Sequence, residues 1–429
     1  MNIYNAYSFL GVFFLMATAW ILSKDRSKVN IRLIFWGLFI QFAFAAFIFI
    51  FPFGSKLFLV INDMVVTLLD VAGAGTRFIF GVLSIPVGEP GSLGLILITQ
   101  ALPSVIFFTA LMELLYFYRI MPRVINAFSH TFTKLFKISG AESLSVSANI
   151  FVGVEAVAAV RPYLAKLTPS ELCTVLTAGL ATIASSMLGF YVLVLNKQLP
   201  HIAGHLVAAS IMAAPAAIIM SKLLYPENGT PETLGKNVDA DLDQADTGLD
   251  ALIRGASNGG KLVFGIVTVV IALLGLLALL NFALDGFAIP LSWFHISVSL
   301  RLEHLLGYLF YPFALMIGVP PHDAVMVAQL LGERLILTEV VAYQHLAQLM
   351  DSGALDARSA VLASYALCGF THIASLGIFS GGLAILAPNQ TKTLAEVGLR
   401  SLIAATLATL MVAAIAGTFY GHATFILNS

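Results

Sequence analysis

GVEAVAAVRPYL (153–164) and AGLATIASSMLGF (178–190) recur in altered form as LTEVVAYQHL (337–346) and CGFTHIASLGIF (368–379). Alignment of the two pairs sets Glu155 opposite Glu339, Gly179 opposite Gly369, Thr182 opposite His372 and Ser185 opposite Ser375. Each pair combines an apolar stretch interrupted by small and polar residues with a longer apolar run that carries its own polar interval. The interrupted stretches, 140–167 and 320–350, are each long enough to enter a bilayer and return as a hairpin. Lys137 precedes the first and Arg161 and Lys166 follow its turn, which puts both of its ends on the cytoplasmic side. The second starts and ends outside, so the two units form an inverted repeat. Repeats of this kind with broken helices mark secondary transporters whose substrate sits near the membrane midplane.

Around these segments the chain is written for lipid. Its 429 residues carry 22 Lys and Arg and 23 Asp and Glu, 10% of the composition, while hydrophobic types reach 59%. Soluble domains average about 25% charged residues, so a lipid-facing surface is required. Eight stretches have the length of a membrane span: 4–22, 31–53, 94–118, 171–196, 202–224, 261–283, 357–386 and 397–418. The expected fold is all-α and polytopic, with eight transmembrane helices and two re-entrant helical hairpins. Its expected divisions are 1–93 (N-terminal spans and an external interfacial helix), 94–225 (first repeat), 226–260 (an acidic cytoplasmic loop) and 261–429 (second, inverted repeat). Lys24, Arg26, Lys28 and Arg32 after the first span, and Arg119, Arg123, Lys134 and Lys137 after the third, mark cytoplasmic turns. Both termini are then expected outside a plasma membrane, the inner one in a bacterium, with the N-terminal apolar run retained as a span.

Several features argue against other classes. A net charge of −1 without a large basic patch excludes a nucleic-acid partner. No phosphate-cradling glycine loop or HExxH motif is present, which leaves an enzyme little support. Cys173 and Cys368 fall in apolar runs and read as small buried residues. Asp239, Asp241 and Asp243 resemble the start of a calcium loop, but Gln244 stands where that motif needs Gly, so a mobile, solvated acidic loop is expected. His201 and His205 share helical spacing without a nearby acid or thiol and read as an interfacial pair rather than metal ligands.

The binding candidates are polar groups in apolar surroundings. A carboxylate at the bilayer centre costs at least ~2.5 kcal/mol and persists where a cavity, partner or ligand satisfies it. Glu155 and Glu339 meet that condition at equivalent places in the repeat, whereas Glu113, inside the third span, has no symmetry mate and suits packing, snorkelling or protonation. Ser145, Ser147 and Asn149 before Gly153, with Thr182, Ser185 and Ser186 in the next span, offer the oxygens a small hard cation needs. His372 and Ser375 share a polar interval in the seventh span.

At these segments the chain resembles the concentrative nucleoside transporters, from about residue 70 to its end. The residues that carry the resemblance are GTRFIFG (75–81), PSVIFFTALM (103–112), SGAESLSVSANIFVG (139–153), RPYL (161–164), SELCTVLTAGLATIAS (170–185), IRGASNGGKL (253–262), LTEVVAY (337–343) and GFTHIASLGIFSGGLAILAP (369–388). The resemblance implies a homotrimer, each subunit having a scaffold around a moving unit of two hairpins and two broken spans. It implies nucleoside uptake driven by a sodium or proton gradient through alternating access, with no cofactor beyond the coupling ion. By position, Asn149, the carbonyl of Val152, Thr182, Ser185 and Ser186 look like the sodium site. Gly153, Val154, Glu155, Thr338, Glu339, Phe370, His372 and Ser375 stand where the family binds nucleoside. Three departures bear on specificity. Where the family has Gln, Thr and Glu after the glycine, this chain has Val154 then Glu155, one residue shorter. Thr338 and His372 each replace an Asn. The sequence therefore points to a cation-coupled importer of nucleosides or nucleoside-like solutes. Its rivals are proton-coupled transport of a modified nucleoside or other polar solute, and a gate-type membrane assembly protein that does not transport.

Overall fold

The computed structural model describes residues 3–85, 89–94, 96–238, 245–292 and 302–421. Seventeen α-helices follow one another: α1 (Ile3–Ile21), α2 (Ile31–Phe49), α3 (Pro52–Phe80), α4 (Leu97–Gln100), α5 (Pro103–Phe117), α6 (Ile120–Phe136), α7 (Gly140–Asn149), α8 (Pro169–Ala181), α9 (Ser185–Leu195), α10 (Ile202–Leu224), α11 (Gly248–Ser292), α12 (Leu302–Met316), α13 (Pro321–Ile336), α14 (Glu339–Asp351), α15 (Ala357–Leu367), α16 (Ile373–Leu386) and α17 (Thr391–Phe419). The first hairpin is α7 followed by short 3-10 turns, Gly153–Val160 and Leu164–Lys166. The second is α13 and α14, with its tip at Leu337 and Thr338.

Local chemistry sets the ends of these helices. Ser139 and Glu142 form a reciprocal capping box at the start of α7, and Thr168 and Glu171 form another at the start of α8, where Pro169 needs no hydrogen bond. Two of the expected spans are interrupted: one breaks at 182–184 between α8 and α9, the other at 368–372 between α15 and α16. Their crossing explains the two glycines aligned in the repeat. A Cβ on Gly179 would lie 2.3 Å from the Phe379 ring, and one on Gly369 would lie 2.8 Å from the Ala181 carbonyl. Gly369 also has φ +137°, a conformation side chains disfavour.

Eight helical stretches among the described residues are long and apolar enough to cross a membrane. Membership differs from the expected spans at two places. The 357–386 run is split into two short helices, while α3, expected as part of an external interfacial segment, also has the required length and apolarity. The buried residues of α3, Gly54, Phe58, Asn62, Val65 and Leu69, recur every three or four positions and make one narrow face. The loop after α10 is also shorter than expected, because α11 begins at Gly248. Its first part is tied to the base of the first hairpin: the Gly140 amide donates to Thr233 O at 2.9 Å and the Gly235 amide to Ile138 O at 3.2 Å. Lys222 anchors the same base through Glu142 at 2.5 Å. Asp239, Asp241, Asp243 and Gln244 lie outside the described residues. His205 is buried rather than interfacial, its Nδ1 3.0 Å from the Tyr365 hydroxyl and its ring edge-on to Phe58. Both cysteines are buried and free.

The core is built by α8 with α9, by α10 and by α17, whose most apolar windows are 83%, 89% and 83% buried, whereas that of α11 is 6% buried and lies open on the outside. α11 is fixed to α5 by Gly255 and Gly259, where a Cβ would come within 2.6 Å of Ala110 Cα and Ile106 Cα. This small-residue spacing lets two membrane helices touch along their backbones. A buried arginine, Arg358, ties α1 to the later helices. Arg358 donates to Gly318 O (2.9 Å), Asn5 Oδ1 (2.7 Å), Tyr4 O (3.0 Å), Ser8 Oγ (2.8 Å) and Gly417 O (3.1 Å), joining α1, α15, α17 and the entry to the second hairpin. Each buried acceptor left without a donor costs about 1–3 kcal/mol. Arg358→Leu is expected to lower the melting temperature of the purified protein in detergent by about 5 °C or more, with Arg358→Lys recovering part of the loss. A melt matching the unsubstituted protein would show that this junction contributes no stability.

Candidate functional site

At the tip of the first hairpin, Gly153 has φ +74°, and a Cβ there would lie 2.6 Å from Ala184 Cβ, so the chain can turn against the broken span only as glycine. The tip is then tied across the break. Phe151 O accepts the Ser185 amide at 3.1 Å and also the Ser185 hydroxyl, and Ile150 O accepts Ser210 Oγ at 2.9 Å. Asn149 donates its amide to Ser145 O at 2.9 Å, while its Oδ1 is buried without a hydrogen-bond partner. Thr182 donates to Ala178 O at 2.8 Å, which leaves the lone pairs of its oxygen unused by that bond. A buried acceptor with no donor, beside hydroxyls and a broken helix, suits a small cation that needs oxygen ligands. Val152, Ser185 and Ser186 also border a cavity of about 50 Å³, together with Glu113, Thr109 and Asn258. Glu113 therefore faces the hairpin tip from α5.

The second break carries a denser cluster. His372 is the N-cap of α16, and its Nδ1 accepts the Ser375 amide at 3.1 Å. An accepting Nδ1 places the ring proton on Nε2. That nitrogen lies 2.7 Å from Ser375 Oγ and 2.9 Å from Glu339 Oε2. Only the first approach has hydrogen-bond geometry, so Oε2 remains without an aligned donor. Glu339 opens α14, and its Oε1 accepts the Tyr191 hydroxyl at 2.9 Å. Tyr191 in turn stacks on Tyr343, with ring centroids 4.4 Å apart. Thr338 occupies the N-cap position of α14 without capping it, and its Oγ1 is buried and unpartnered. Arg334, fully buried, closes the other side of the break by donating to Ala366 O and, at 3.2 Å, to Thr409 Oγ1; Tyr343 donates to Ser364 O at 2.8 Å.

Ser186, Thr338, Glu339, Phe370, His372 and Ser375 line one cavity of about 560 Å³, whose remaining wall is mostly aliphatic and comes largely from α11. This is the size and character of a small-molecule site: an apolar enclosure with a few convergent polar groups. The side chains of Val154 and Glu155 lie outside the described residues; their backbone belongs to the 3-10 turn Gly153–Val160. Four polar groups near this site were not expected as site residues: Tyr191, Arg334, Asn258 and Lys261. Tyr191 and Arg334 act across long sequence separations and have no local signal. Asn258 and Lys261 carry one, being polar at the start of the most apolar span.

Two inverted hairpins facing two broken spans, with a polar cluster in an apolar cavity, define a secondary transporter. The family described as "Na+ dependent nucleoside transporter" matches in two parts, its N-terminus over residues 10–83 and its C-terminus over 205–417, and a "Gate: Nucleoside recognition" family matches residues 98–198. The chain is 36% identical over 415 residues to the uncharacterized transporter YutK of Bacillus subtilis, covering 96% of this chain and 99% of YutK. It is 31% identical over 422 residues to the nucleoside permease NupC of Helicobacter pylori, covering 97% and 98%. The solved structure of CNTnw in an inward-facing substrate-bound state superposes with a TM-score of 0.87 at 33% identity, covering 97% of this chain and 99% of that one. The chain belongs to the concentrative nucleoside transporter family. It is an integral multi-pass membrane protein and a nucleoside transporter, not an enzyme.

His372 performs the capping bond that an Asn, the residue expected at this position, would also make, since the Asn side-chain oxygen is a preferred N-cap acceptor. His372→Asn is expected to keep the stability of the unsubstituted protein, whereas His372→Ala loses about 1–2 kcal/mol. Thermal melts of the three proteins at matched expression would show this order; equal loss in both variants would mean that the cap does not matter.

Proposed function

We propose that the protein is a sodium-coupled symporter that imports nucleosides or nucleoside-like solutes by alternating access. The observation that carries the coupling assignment is the buried, unpartnered Asn149 Oδ1 at the end of α7, just before the tip of the first hairpin. On this proposal Asn149, the Val152 carbonyl, Thr182 and one or both of Ser185 and Ser186 hold sodium. Glu339 Oε2 accepts a sugar hydroxyl, Ser375 and His372 contact the same sugar, and Glu155 and Phe370 lie toward the base. Sodium would order the first hairpin before substrate enters, so each ligand raises the affinity of the other, as linkage requires. The protein works as a homotrimer with both termini outside, α3 lying along the outer face so that α2 and α5 run in opposite directions across the membrane. The basic turns after α1 and α5 support that orientation.

Uptake by proteoliposomes separates the alternatives. With an inward sodium gradient, labelled nucleoside is expected to accumulate, and choline in place of sodium at fixed pH should abolish accumulation. Asn149→Leu should remove the sodium dependence, and Glu339→Gln should reduce uptake at least about tenfold, the loss of one charged hydrogen bond in the site. Accumulation that persists in choline and collapses with a protonophore would replace sodium by protons. Unchanged uptake in Glu339→Gln would refute the sugar-site assignment.

A further inference from the structure

The polar groups of the large cavity stand on two walls. One wall is the Glu339, His372 and Ser375 cluster. The other is α11, whose Asn258, Lys261, Leu262, Gly265, Ile266 and Val269 recur at three- and four-residue intervals and present one helix face to the cavity. Lys261 lies 13 residues into α11, ~20 Å along its axis, and residues 262–284 contain no charged side chain. Among the described residues it has no ion-pair or hydrogen-bond partner. Its nearest acidic neighbour on the cavity wall, Glu339, is already approached by His372 and Tyr191. Lys261 and Asn258 are exposed on the face of α11 that borders the cavity, so their polar heads can meet a ligand held there. In the first hairpin, Val154 is aliphatic and carries no hydrogen-bonding group for a base.

We propose that Lys261, assisted by Asn258, reads the nucleobase, and that the site selects bases presenting keto oxygens over bases presenting an amino group at the same edge. The inference rests on the nucleoside site proposed above and adds its substrate class. Lysine offers three donors and no acceptor, so it completes a carbonyl oxygen and is opposed by an exocyclic amino group. Asn258 can both donate and accept, which suits the neighbouring ring N–H. The ribose held at Glu339 leaves the base to extend toward α11 across a mostly aliphatic cavity, where Lys261 and Asn258 are the polar side chains that α11 offers. Gly255 and Gly259 hold α11 against α5 and so fix the rotation that turns Asn258 and Lys261 inward.

Inosine and adenosine share a purine skeleton and differ along one edge, a keto oxygen beside a ring N–H against an amino group beside a bare ring nitrogen, so they test the proposal without any variant. Competition against labelled uridine in proteoliposomes of the protein under an inward sodium gradient is expected to show inosine half-inhibiting at a concentration at least about tenfold below adenosine. Lys261→Gln, which adds an acceptor, should bring the two within about threefold, while Lys261→Arg keeps the preference; size-exclusion profiles check that each variant is folded. Equal competition by inosine and adenosine, or an unchanged ratio in a folded Lys261→Gln protein, overturns the inference. Keto-selective uptake that ignores sodium overturns the coupling proposal alone. Absence of uptake for every nucleoside overturns the substrate assignment and this inference with it.

Discussion

A helix interrupted inside a membrane exposes amides and carbonyls that lipid cannot satisfy, and the rest of this structure depends on how four such ends are closed. The Ser185 amide at the start of α9 is taken by Phe151 O from the first hairpin. The end of α15 is closed by Arg334 and Tyr343 from the second hairpin, and the start of α16 by His372. The end of α8 folds back on itself through Thr182. Hairpins and broken spans are thus one hydrogen-bonded body, and one of the groups that close the helix ends, His372, also lines the ligand cavity. Stability and recognition are therefore coupled at His372, and a substitution there has to be judged on both.

The two breaks are closed by different chemistry, and the difference suits different ligands. The first uses backbone carbonyls and hydroxyls and leaves oxygen over, at Asn149 Oδ1. The second brings its own fixed cation, Arg334, and leaves an acceptor at Glu339 Oε2 and a hydroxyl at Ser375. An inverted repeat has in this way diverged into an acceptor-rich half that suits a metal cation and a mixed half that suits a sugar.

Much of this was legible in the sequence because membranes make polar residues conspicuous. Glu339, His372, Asn149 and the glycine pair stand out against apolar neighbours, and the repeat ties them to equivalent places. Tyr191 was not legible: it sits in LGFYVLVL as one more aromatic, and its partner Glu339 is 148 positions away. Arg334 follows Glu333 in a segment that looks like an ordinary charged helix surface; only the fold buries it. The α3 face was readable from the spacing of Gly54, Phe58, Asn62, Val65 and Leu69, but hydropathy alone does not separate a helix that crosses a bilayer from one that lies along it. His205 was misplaced because a histidine beside Pro200 at a span boundary reads as exposed, while Phe49, Phe58 and Tyr365 arrive from distant helices to enclose it.

The junction at Arg358 also sets an order of assembly. Its acceptors on α1, at Tyr4, Asn5 and Ser8, leave the ribosome about 300 residues or more ahead of Gly318, Arg358 and Gly417. Helix α1 must wait in the bilayer, its Asn5 and Ser8 side chains without their final partners, until α15 and α17 have followed it. Completion of the body is consequently a late, long-range event, and a chain that stops before α17 leaves its first helix without the junction that holds it.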